Sequence, residues 1–501
     1  MAADDCKIRP IIGMEIHVQL ATRTKMFCGC ALAFGAEPNS RTCPVCLGLP
    51  GALPVMNRQA FEHAVTFALA INCRIAEFTK WDRKSYYYPD MPKNYQISQY
   101  DLPLAVGGHF DIPDPSGGER RINLIRAHLE EDAGKNLHDV PGCSLVDLNR
   151  AGTPLLEIVT EPDLSSAEEA YKFCTELQRL VTYLGVSEGS MQKGHMRFEP
   201  NVNVSVEQDG RVHHTPIVEI KNLNSFRAVR EAIAFEVRRQ VDCWRADRGY
   251  VKGAAPNENR GWNADRGVTE FQRGKEAAQD YRYFPDPDLP PVTVDGAWLE
   301  QLRSRQPELP LARRARLATA YGLNGTDAEA IVSDRGDADL FDAVVESSPG
   351  LVRRMANLLL GVGRKVARER GAAASRLLPA ATQWRQLAEL AEEGTVNATA
   401  ADRLLEEVLR DPPPTVDFRT LAGERNLLQV QDEGSMLAWV EQAFAENAQA
   451  VQDALSNPKK AKAAPGFLTG QVMRISGGQA DPKVVGALIR RKLDDIQADG
   501  G

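Results

Sequence analysis

The first part of the chain, up to about residue 290, alternates apolar and polar positions in the way that strands with one buried face do. In the segment from 125 to 130, Ile125, Ala127 and Leu129 are predicted to point together into a core. Each predicted strand also carries an acid or a base among its apolar residues. Four segments show the pattern: residues 14–20 (MEIHVQL), 125–130 (IRAHLE), 155–159 (LLEIV) and 217–221 (IVEIK).

The strands are interrupted by helical and irregular segments. Residues 165–169 (SSAEE) are typical of a capping box, and the apolar residues that follow them recur at helical spacing. Residues 245–278 are polar and rich in glycine, which predicts a mobile loop or an insertion between strands. The proline-rich residues 284–291 close the region and predict a first boundary.

Beyond that boundary the hydrophobic period changes to the 3.6 residues of a helix. Residues 326–329 (TDAE) resemble a capping box ahead of Ile331, and residues 411–414 (DPPP) predict a break between helical regions. Two further helical segments are predicted at 436–454 and 481–496. We therefore predict an α+β protein with three parts: residues 1–292 around an antiparallel sheet, 293–410 as a helical connector and 411–501 as a small all-α tail.

Composition agrees with this division and narrows the class of protein. The 501 residues predict about three domains at roughly 150 residues each. A hydrophobic content of 43% and a charged content of 26% are typical of a soluble globular chain. The net charge of −8 excludes a uniformly basic surface for nucleic acid, so any RNA contact needs a local patch. The acidic N-terminus and the short apolar stretches predict a cytoplasmic protein with no membrane partner.

Four of the nine cysteines are clustered, in the segment 28–46. Cys28 and Cys30 form one close pair, and Cys43 and Cys46 form a second after twelve residues. Two close thiolate pairs can surround one ion at tetrahedral angles, which predicts a structural Zn²⁺ site. The alternative is that they are ordinary buried cysteines. No secretory pattern precedes them, so a disulfide framework is disfavoured.

A second candidate site consists of the acids on the predicted strands. Carboxylates gathered on one sheet face repel one another unless cations neutralise them, and hard oxygen ligands favour Mg²⁺ or Mn²⁺. Any single acid is as well explained as a solvated strand residue. The set comprises Glu15, Glu130, Glu131, Asp132, Glu157, Glu199 and Glu219 with His17 and His128, and the cations in the same segments are Lys84, Lys135, Arg126, Arg197 and Lys221.

Together these charged groups indicate nucleotide chemistry, although the common nucleotide-binding motifs do not occur in the sequence. Neither a G-x-x-x-x-G-K-[ST] loop nor a strand-bounded G-x-G-x-x-G is found, and a G-x-S-x-G nucleophile elbow is also missing. ATP, if it binds, is therefore held in another way, and one candidate arrangement is an antiparallel sheet that presents carboxylates to metal ions, as in the glutamine synthetase and guanido kinase fold.

Several long runs of residues, in the same order along the chain, closely resemble those of a known family. The chain resembles the B subunit of the bacterial aspartyl/glutamyl-tRNA amidotransferase. The runs are residues 13–20 (GMEIHVQL), 34–40 (FGAEPNS), 82–89 (DRKSYYYP), 95–99 (YQISQ), 128–135 (HLEEDAGK), 144–159 (SLVDLNRAGTPLLEIV), 219–226 (EIKNLNSF), 280–288 (DYRYFPDPD) and 466–473 (GFLTGQVM).

The resemblance implies a carbon–nitrogen ligase that acts on Glu-tRNA(Gln), with Asp-tRNA(Asn) left open as a second substrate. In that family ATP phosphorylates the side-chain carboxylate of the tRNA-bound amino acid, and ammonia then displaces the phosphate. The ammonia is released from glutamine by a partner amidase, the A subunit, while a small C subunit completes the heterotrimer. The lack of a recognisable nucleophile motif in this chain agrees with such a division of labour.

The resemblance also implies roles for particular residues. The expected Mg²⁺ and kinase-site residues are Glu15, His17, Glu130 and Glu157, with Lys84 as the cation for the phosphates. Weaker candidates for cofactor binding or a supporting role are Glu131, Arg197, Glu199, Asn201, Glu219 and Lys221. Glu199 lies in Phe-Glu-Pro, a local departure from the family pattern. The tail is expected to contact tRNA through Lys459, Lys460, Lys462, Arg474, Lys483, Arg490, Arg491 and Lys492.

Two other functions remain open from the sequence. A zinc-containing RNA-binding or assembly protein without catalysis would explain the cysteines and the basic tail, but it has no use for inward carboxylates. A ligase of the glutamine-synthetase type that acts on a free amino acid would explain the acids, but it gives the helical tail no purpose.

Overall fold

The protein has two compact units in the computed structural model, Met1–Leu311 and Ala312–Gly501. The structure describes residues 6–114, 118–137, 141–275, 280–430, 432–456 and 464–499. The described residues of the first unit form the strands and four helices, and those of the second form helices and their connections. The predicted α+β class is confirmed. The boundaries predicted at residues 292 and 410 stay predictions.

The strands of the first unit, numbered along the chain, are β1 (Lys7–Gln19), β2 (Arg74–Ile75), β3 (Phe78–Thr79), β4 (Asp82–Ser85), β5 (Tyr95–Ser98), β6 (Ala105–Val106), β7 (His109–Pro113), β8 (Glu119–Glu131), β9 (Lys135–Leu137), β10 (Leu145–Asp147), β11 (Pro154–Thr160), β12 (Met196–Gln208), β13 (Arg211–His214), β14 (Val218–Lys221), β15 (Asn257–Asn263), β16 (Val268–Lys275), β17 (Phe284–Pro285) and β18 (Val292–Thr293). Its helices are α1 (Arg58–Ala70), α2 (Ala167–Tyr183), α3 (Phe226–Ala246) and α4 (Gly296–Ser304).

An 11-stranded sheet organises this unit, with the order β16-β15-β14-β12-β1-β11-β8-β6-β2 and with β13 and β7 paired at its sides. One pair departs from the predicted antiparallel arrangement, because β14 and β15 run parallel. Helix α3 lies between them in the chain, and parallel neighbours need such a crossover. A separate three-stranded sheet, in the order β17-β4-β5, also belongs to this unit.

The predicted alternation in β1 is confirmed. Met14, Ile16 and Val18 are fully buried among side chains of α1, α2 and α3, while Glu15 and His17 are only partly buried on the other face. Burial of the apolar face supplies the main driving force for holding these helices against the sheet. The opposite face is left for polar side chains.

The prediction for Ile125 is wrong. Its side chain is 45% exposed, whereas Ala127 and Leu129 are fully buried. The register of β11 against β8 shifts here, since Val159 opposes Arg126 and Thr160 opposes Leu124. Ile125 is therefore the extra residue of a β-bulge, which interrupts the alternation by one position.

The loop predicted at 245–278 is wrong for residues 257–263 and 268–275. After α3 ends, residues 257–263 and 268–275 form the hairpin β15–β16 at the edge of the main sheet. The hairpin is secured by polar contacts: the Thr269 hydroxyl donates to the fully buried Glu236 of α3 at 2.7 Å, and Arg260 bonds Thr269. Trp262 is the buried apolar anchor of the hairpin and packs against Phe235 of α3, whereas polar residues make up much of the rest, so the composition resembles that of a loop.

The helices of the second unit are α5 (Pro310–Tyr321), α6 (Gly325–Ile331), α7 (Arg335–Ser347), α8 (Val352–Leu358), α9 (Arg364–Arg370), α10 (Ala374–Leu377), α11 (Ala381–Glu392), α12 (Ala398–Arg410), α13 (Phe418–Glu424), α14 (Glu433–Glu446), α15 (Ala448–Ser456), α16 (Ala464–Ile475) and α17 (Pro482–Asp499). A 3₁₀ turn at Pro349–Leu351 and a π-helical turn at Leu359–Gly363 flank α8.

The predicted helices of this unit agree with the structure except in detail. The cap of α6 is Asn324, whose side chain accepts from the backbone of Asp327, so the expected box at 326–329 is displaced by two residues. The segment 436–454 is divided at Asn447 into α14 and α15. Val440, Leu468 and Ile489 belong to a core of the tail's own. Among the described helices, none is long and apolar enough to span a bilayer.

Candidate active site

The strand register brings the main predicted residues together. His17 of β1 lies directly opposite Glu157 of β11 on one side and Arg197 of β12 on the other. Glu157 in turn lies opposite His128 of β8. Directly opposed residues in antiparallel neighbours point to the same face of a sheet. Four chemically active side chains therefore form one row across four strands, on the face away from the helices.

The two imidazoles of this row form a tight cluster with Glu157 and with two further carboxylates. His17 Nε2 lies 3.3 Å from a Glu130 oxygen, 3.6 Å from a Glu157 oxygen and 4.0 Å from a Glu15 oxygen. His128 Nε2 lies 3.4 Å from the same Glu157 oxygen. One ligand atom each from Glu15, His17 and Glu157 lie within 4.8 Å of one another, as do those of His128, Glu130 and Glu157.

The pKa values of the cluster are shifted by burial and by the neighbouring charges. Burial, followed by the charge of Glu157, raises the pKa of Glu15 to about 7. Burial by itself would lower the pKa of His17, but its contacts with Glu130 and Glu157 raise it well above the usual value. Burial lowers the pKa of His128, so this ring stays neutral. Arg126 also lies 4.0 Å from a Glu157 oxygen, and a bound divalent cation would further stabilise the three carboxylates.

The cluster also has the chemistry of a metal site. The Nδ1 atoms of His17 and His128 are buried and have no hydrogen-bond partner within the described residues. Each group of ligand atoms provides two carboxylates and one imidazole at a spacing that a single ion can bridge. Carboxylate oxygens are the ligands that Mg²⁺ and Mn²⁺ prefer, so a hard divalent cation fits these residues.

Above the cluster lies a cavity of about 480 Å³. Lys84 projects into it from β4, with its Nζ 4.9 Å from the centre of the Tyr281 ring. Burial would lower the pKa of Lys84, but the nearby Glu130 raises it overall, so the ammonium stays charged. Arg126 lines the same cavity from β8. The cavity thus combines an acidic floor with cations at its wall.

Four of the weaker candidates line the cavity but already have partners. Lys221 contacts Glu199 and Glu219, with 2.5 Å to each carboxylate, and these two acids raise its pKa against the effect of burial. Arg197 is ion-paired with Asp132. Because these side chains are already ion-paired, we expect them to stabilise the wall of the cavity.

Glu131 is not brought to the cluster. As the next residue after Glu130 along β8, it points to the opposite face of the sheet, where it is ion-paired with Lys93. The backbone N–H of Ile97 donates to its side chain at 2.9 Å. Glu131 lines a different cavity, of about 320 Å³, together with Cys28 and Cys46.

The four clustered cysteines converge as the sequence predicts. The sulfur atoms of Cys28, Cys30, Cys43 and Cys46 all lie within 4.8 Å of one another, and all nine cysteines are free thiols. The hydrogen bond from Cys28 lowers the pKa of Cys46 to about 4. The Nζ of the fully buried Lys25 lies 3.6 Å from the Cys46 sulfur. Four thiols and one adjacent cation match the needs of a closed tetrahedral metal site.

The predicted tRNA-contacting residues fall into two groups. Lys459, Lys460 and Lys462 lie outside the described residues. Arg474 is on α16, and Lys483, Arg490, Arg491 and Lys492 are on α17. All of these are exposed except Lys492, which is half-buried beside Glu441 at 3.0 Å.

Sequence reasoning missed several residues that line the main cavity. Arg273 reaches it from β16, within the segment predicted as a loop, because VTEFQRGK lacks the apolar–polar alternation of a half-buried strand. Tyr100, Tyr281 and Tyr283 also line it. The last two are separated by Arg282, whose backbone is left-handed with φ 47°, and no alternation in the sequence indicates that both tyrosines reach the cavity.

Comparison with known proteins identifies related chains. Residues 10–300 match the family of the GatB/GatE catalytic domain, and residues 339–493 match the GatB domain. A Moorella thermoacetica protein is 44% identical over 486 residues, which cover 96% of this chain and 99% of that protein. Proteins from an Anaeromyxobacter species and from Thermomicrobium roseum are each 46% identical, over 96% of this chain and 98% of their own length. All three are named as the B subunit of aspartyl/glutamyl-tRNA(Asn/Gln) amidotransferase.

The crowding of carboxylates predicts that Glu15→Gln stabilises the protein when no divalent cation is added. Raising the pKa of Glu15 from 4.5 to about 7 corresponds to a cost of about 3 kcal/mol once the carboxyl is ionised in the folded state. The side chain is 34% exposed, so solvent screening reduces the expected gain to about 1–2 kcal/mol. The gain should grow between pH 4.5 and pH 7 and stay constant above.

Thermal unfolding at pH 5 and pH 8 measures this effect, with an expected rise in Tm of about 2–4 °C at pH 8. The matched control is Glu207→Gln, which removes an exposed carboxylate paired with Lys7 at 3.6 Å and should change stability by less than about 0.5 kcal/mol. A lower Tm for Glu15→Gln at pH 8 would show that the Glu15 carboxylate is well satisfied in the metal-free protein.

Proposed function

The chain belongs to the family of aspartyl/glutamyl-tRNA(Asn/Gln) amidotransferase B subunits, and we propose that it catalyses the ATP-dependent amidation of misacylated tRNA. The proposed substrate is Glu-tRNA(Gln), with Asp-tRNA(Asn) as a second substrate to be tested alongside it. In the first step the side-chain carboxylate of the tRNA-bound amino acid attacks the γ-phosphorus of ATP and ADP leaves. In the second step ammonia attacks the acyl carbon and inorganic phosphate leaves, which produces the amide.

One observation carries the proposal: Glu15, His17, Glu130 and Glu157 converge beneath a cavity that also contains the ammonium of Lys84. Phosphoryl transfer needs this combination, because the phosphates are anionic and charge is redistributed over their oxygens in the transition state. A protein that only binds RNA does not require buried carboxylates that repel one another. The cavity therefore favours the catalytic function over the non-catalytic alternative.

The acidic cluster and Lys84 have distinct proposed roles. Glu15, Glu130, Glu157 and His17 would hold Mg²⁺, which when bound neutralises and orients the phosphates of ATP. Lys84 would contact the phosphoryl group directly, since the nearby Glu130 raises its pKa against the effect of burial and keeps the ammonium charged.

Activation by phosphate explains why ATP is consumed. A carboxylate is a poor electrophile because hydroxide or oxide is a poor leaving group, whereas phosphate leaves readily from an acyl phosphate. Such an intermediate also hydrolyses, so the site has to exclude water until ammonia arrives. The tyrosines at the wall of the cavity support this requirement.

Ammonia must then come from another protein. The relatives are named as B subunits, which supports an assembly with partner chains. We propose that this chain functions in a heterotrimer with an amidase, the A subunit, which releases ammonia from glutamine, and with a small C subunit.

We predict that Glu157→Gln lowers the rate of Gln-tRNA formation by at least about 100-fold in the assembled complex, since it removes the central carboxylate without changing the size of the side chain. The assay contains ATP, Mg²⁺, glutamine and Glu-tRNA(Gln), and it is repeated with Asp-tRNA(Asn). Glu161→Gln is the matched control, because it neutralises an exposed acid just beyond β11. Equal amidation by both variants would contradict the role of Glu157, and no amidation by the unaltered complex would contradict the function.

We also propose that Cys28, Cys30, Cys43 and Cys46 hold a structural Zn²⁺. Four protein ligands leave no open position for a reacting water, so the ion would stabilise the fold near β1 and β11 and take no part in the chemistry. Lys25 beside Cys46 would offset part of the negative charge of the four thiolates.

Metal analysis of protein purified without added zinc should give about one zinc per chain. Cys43→Ser should remove most of that zinc and lower the Tm, whereas Cys143→Ser, which alters an exposed cysteine outside the cluster, should change neither. A zinc content that is unaffected by Cys43→Ser would place the metal elsewhere.

The exposed cations of α17 are proposed to contact the tRNA backbone. We predict that the double variant Arg490→Glu/Arg491→Glu weakens tRNA binding and reduces the slope of log K against log salt by about one for each phosphate that is no longer neutralised. Filter binding at several salt concentrations measures both quantities. The control Lys7→Glu/Arg9→Glu makes the same change in net charge on exposed residues of β1. An equal loss in both variants would show that only net charge matters.

A further inference from the structure

A stacked pair of tyrosines stands at the wall of the main cavity. The rings of Tyr100 and Tyr283 are nearly parallel, with centroids 4.1 Å apart and an interplanar angle of 11°. Tyr281 packs edge-on against Tyr283 at 6.2 Å and also receives the Lys84 ammonium on its face. The tyrosines thus extend from the phosphate-binding cation toward the surface.

Both members of the pair are held by the small three-stranded sheet. Tyr100 follows β5, and its backbone N–H donates to the buried carboxylate of Asp82 at 3.0 Å. Tyr283 immediately precedes β17, which pairs with β4. On its other side, the backbone N–H of Ser85 donates to the carbonyl of Tyr281 at 2.9 Å. The stack is therefore a fixed part of the structure with little freedom to rearrange.

The segment after Tyr283 is fixed as firmly. Arg83 of β4 donates to Asp286 and to Asp288, at 2.8 Å in each case. A rigid aromatic surface binds a planar ligand with a small loss of conformational entropy, because two dihedral angles per tyrosine are already set.

The outer ring of the stack is open. Tyr100 is 51% exposed, although it belongs to the cavity lining together with Tyr86 and Lys84. A stack that served only to fill the core would bury both rings. Instead, half of the Tyr100 side chain remains accessible to solvent, at the wall of the cavity that Lys84 also lines.

From this juxtaposition we infer that the Tyr100–Tyr283 pair is a stacking platform for a purine base, which rests on the exposed face of Tyr100 while its phosphates or its ribose ester extend toward Lys84. The inference rests on the proposed function. Stacking of a base on an aromatic ring tolerates any base and needs no hydrogen-bond donor, so the ring itself supplies the affinity.

Two adenosines come near this position in the proposed reaction. One belongs to ATP, and the other is the 3′-terminal adenosine of the tRNA, which carries the amino acid on its ribose. Both offer the same purine ring to Tyr100. Removal of the Tyr100 ring distinguishes the two adenosines, because only the substrate that stacks on the ring should bind more weakly.

The test compares Tyr100→Leu, Tyr100→Phe and Tyr100→Trp in the assembled complex. The KM for ATP is measured at saturating Glu-tRNA(Gln), and the KM for Glu-tRNA(Gln) at saturating ATP. We expect Tyr100→Leu to raise one of these two KM values by about 5-fold to 100-fold with a smaller effect on kcat. Tyr100→Phe and Tyr100→Trp should restore it, because they keep the aromatic face. The affected substrate identifies the source of the purine.

Three results would overturn the inference: both KM values within twofold of the unaltered complex, an equal rise in both, or a defect in Tyr100→Phe as large as in Tyr100→Leu. Tyr87→Leu is the matched control, since Tyr87 is 72% exposed in the same run of tyrosines. Equilibrium binding of ATP and of Glu-tRNA(Gln) to each variant measures the contribution of the stacking platform to affinity without turnover. If the complex binds both ligands but forms no amide, the proposed function is contradicted. The stacking platform can still be tested by these binding measurements.

Discussion

The register of β1 between β11 and β12 is the constraint on which the functional half of the molecule depends. It sets His17 against Glu157 on one side and Arg197 on the other, at the spacing of neighbouring strands, about 4.8 Å. A shift of one residue would turn these groups toward the helices and expose Met14 and Ile16. The burial of the apolar face therefore fixes the position of every charged group on the other.

This arrangement has an electrostatic cost, which the fold offsets only in part. Asp132 is balanced by Arg197, and Glu199 and Glu219 by Lys221. At the centre, burial and then the charge of Glu157 raise the pKa of Glu15 to about 7. The protein gives up stability at the point where a cation and phosphates would bind, as active sites commonly do.

The second sheet completes the site from outside the first. It supplies Lys84 from β4 and holds Tyr100 and Tyr283 at its ends. The main sheet thus provides the acids and the small sheet provides the cation and the aromatic surface. The four cysteines form a separate cluster, and the cavity beside them contains Glu131, which is the neighbour of Glu130 on the reverse face of β8. One strand therefore serves both regions.

The sequence by itself determined the alternation in β1, the acids on that face, the cysteine pairs and most helices, because these depend on local periodicity and on spacing along the chain. Tertiary structure alone decided the bulge at Ile125, the hairpin that carries Arg273 and the stacking of Tyr100 on Tyr283. Each of these joins segments far apart in sequence or rests on hydrogen bonds to distant partners. Local patterns contain no record of such contacts, since register and pairing are settled only when the whole core is buried.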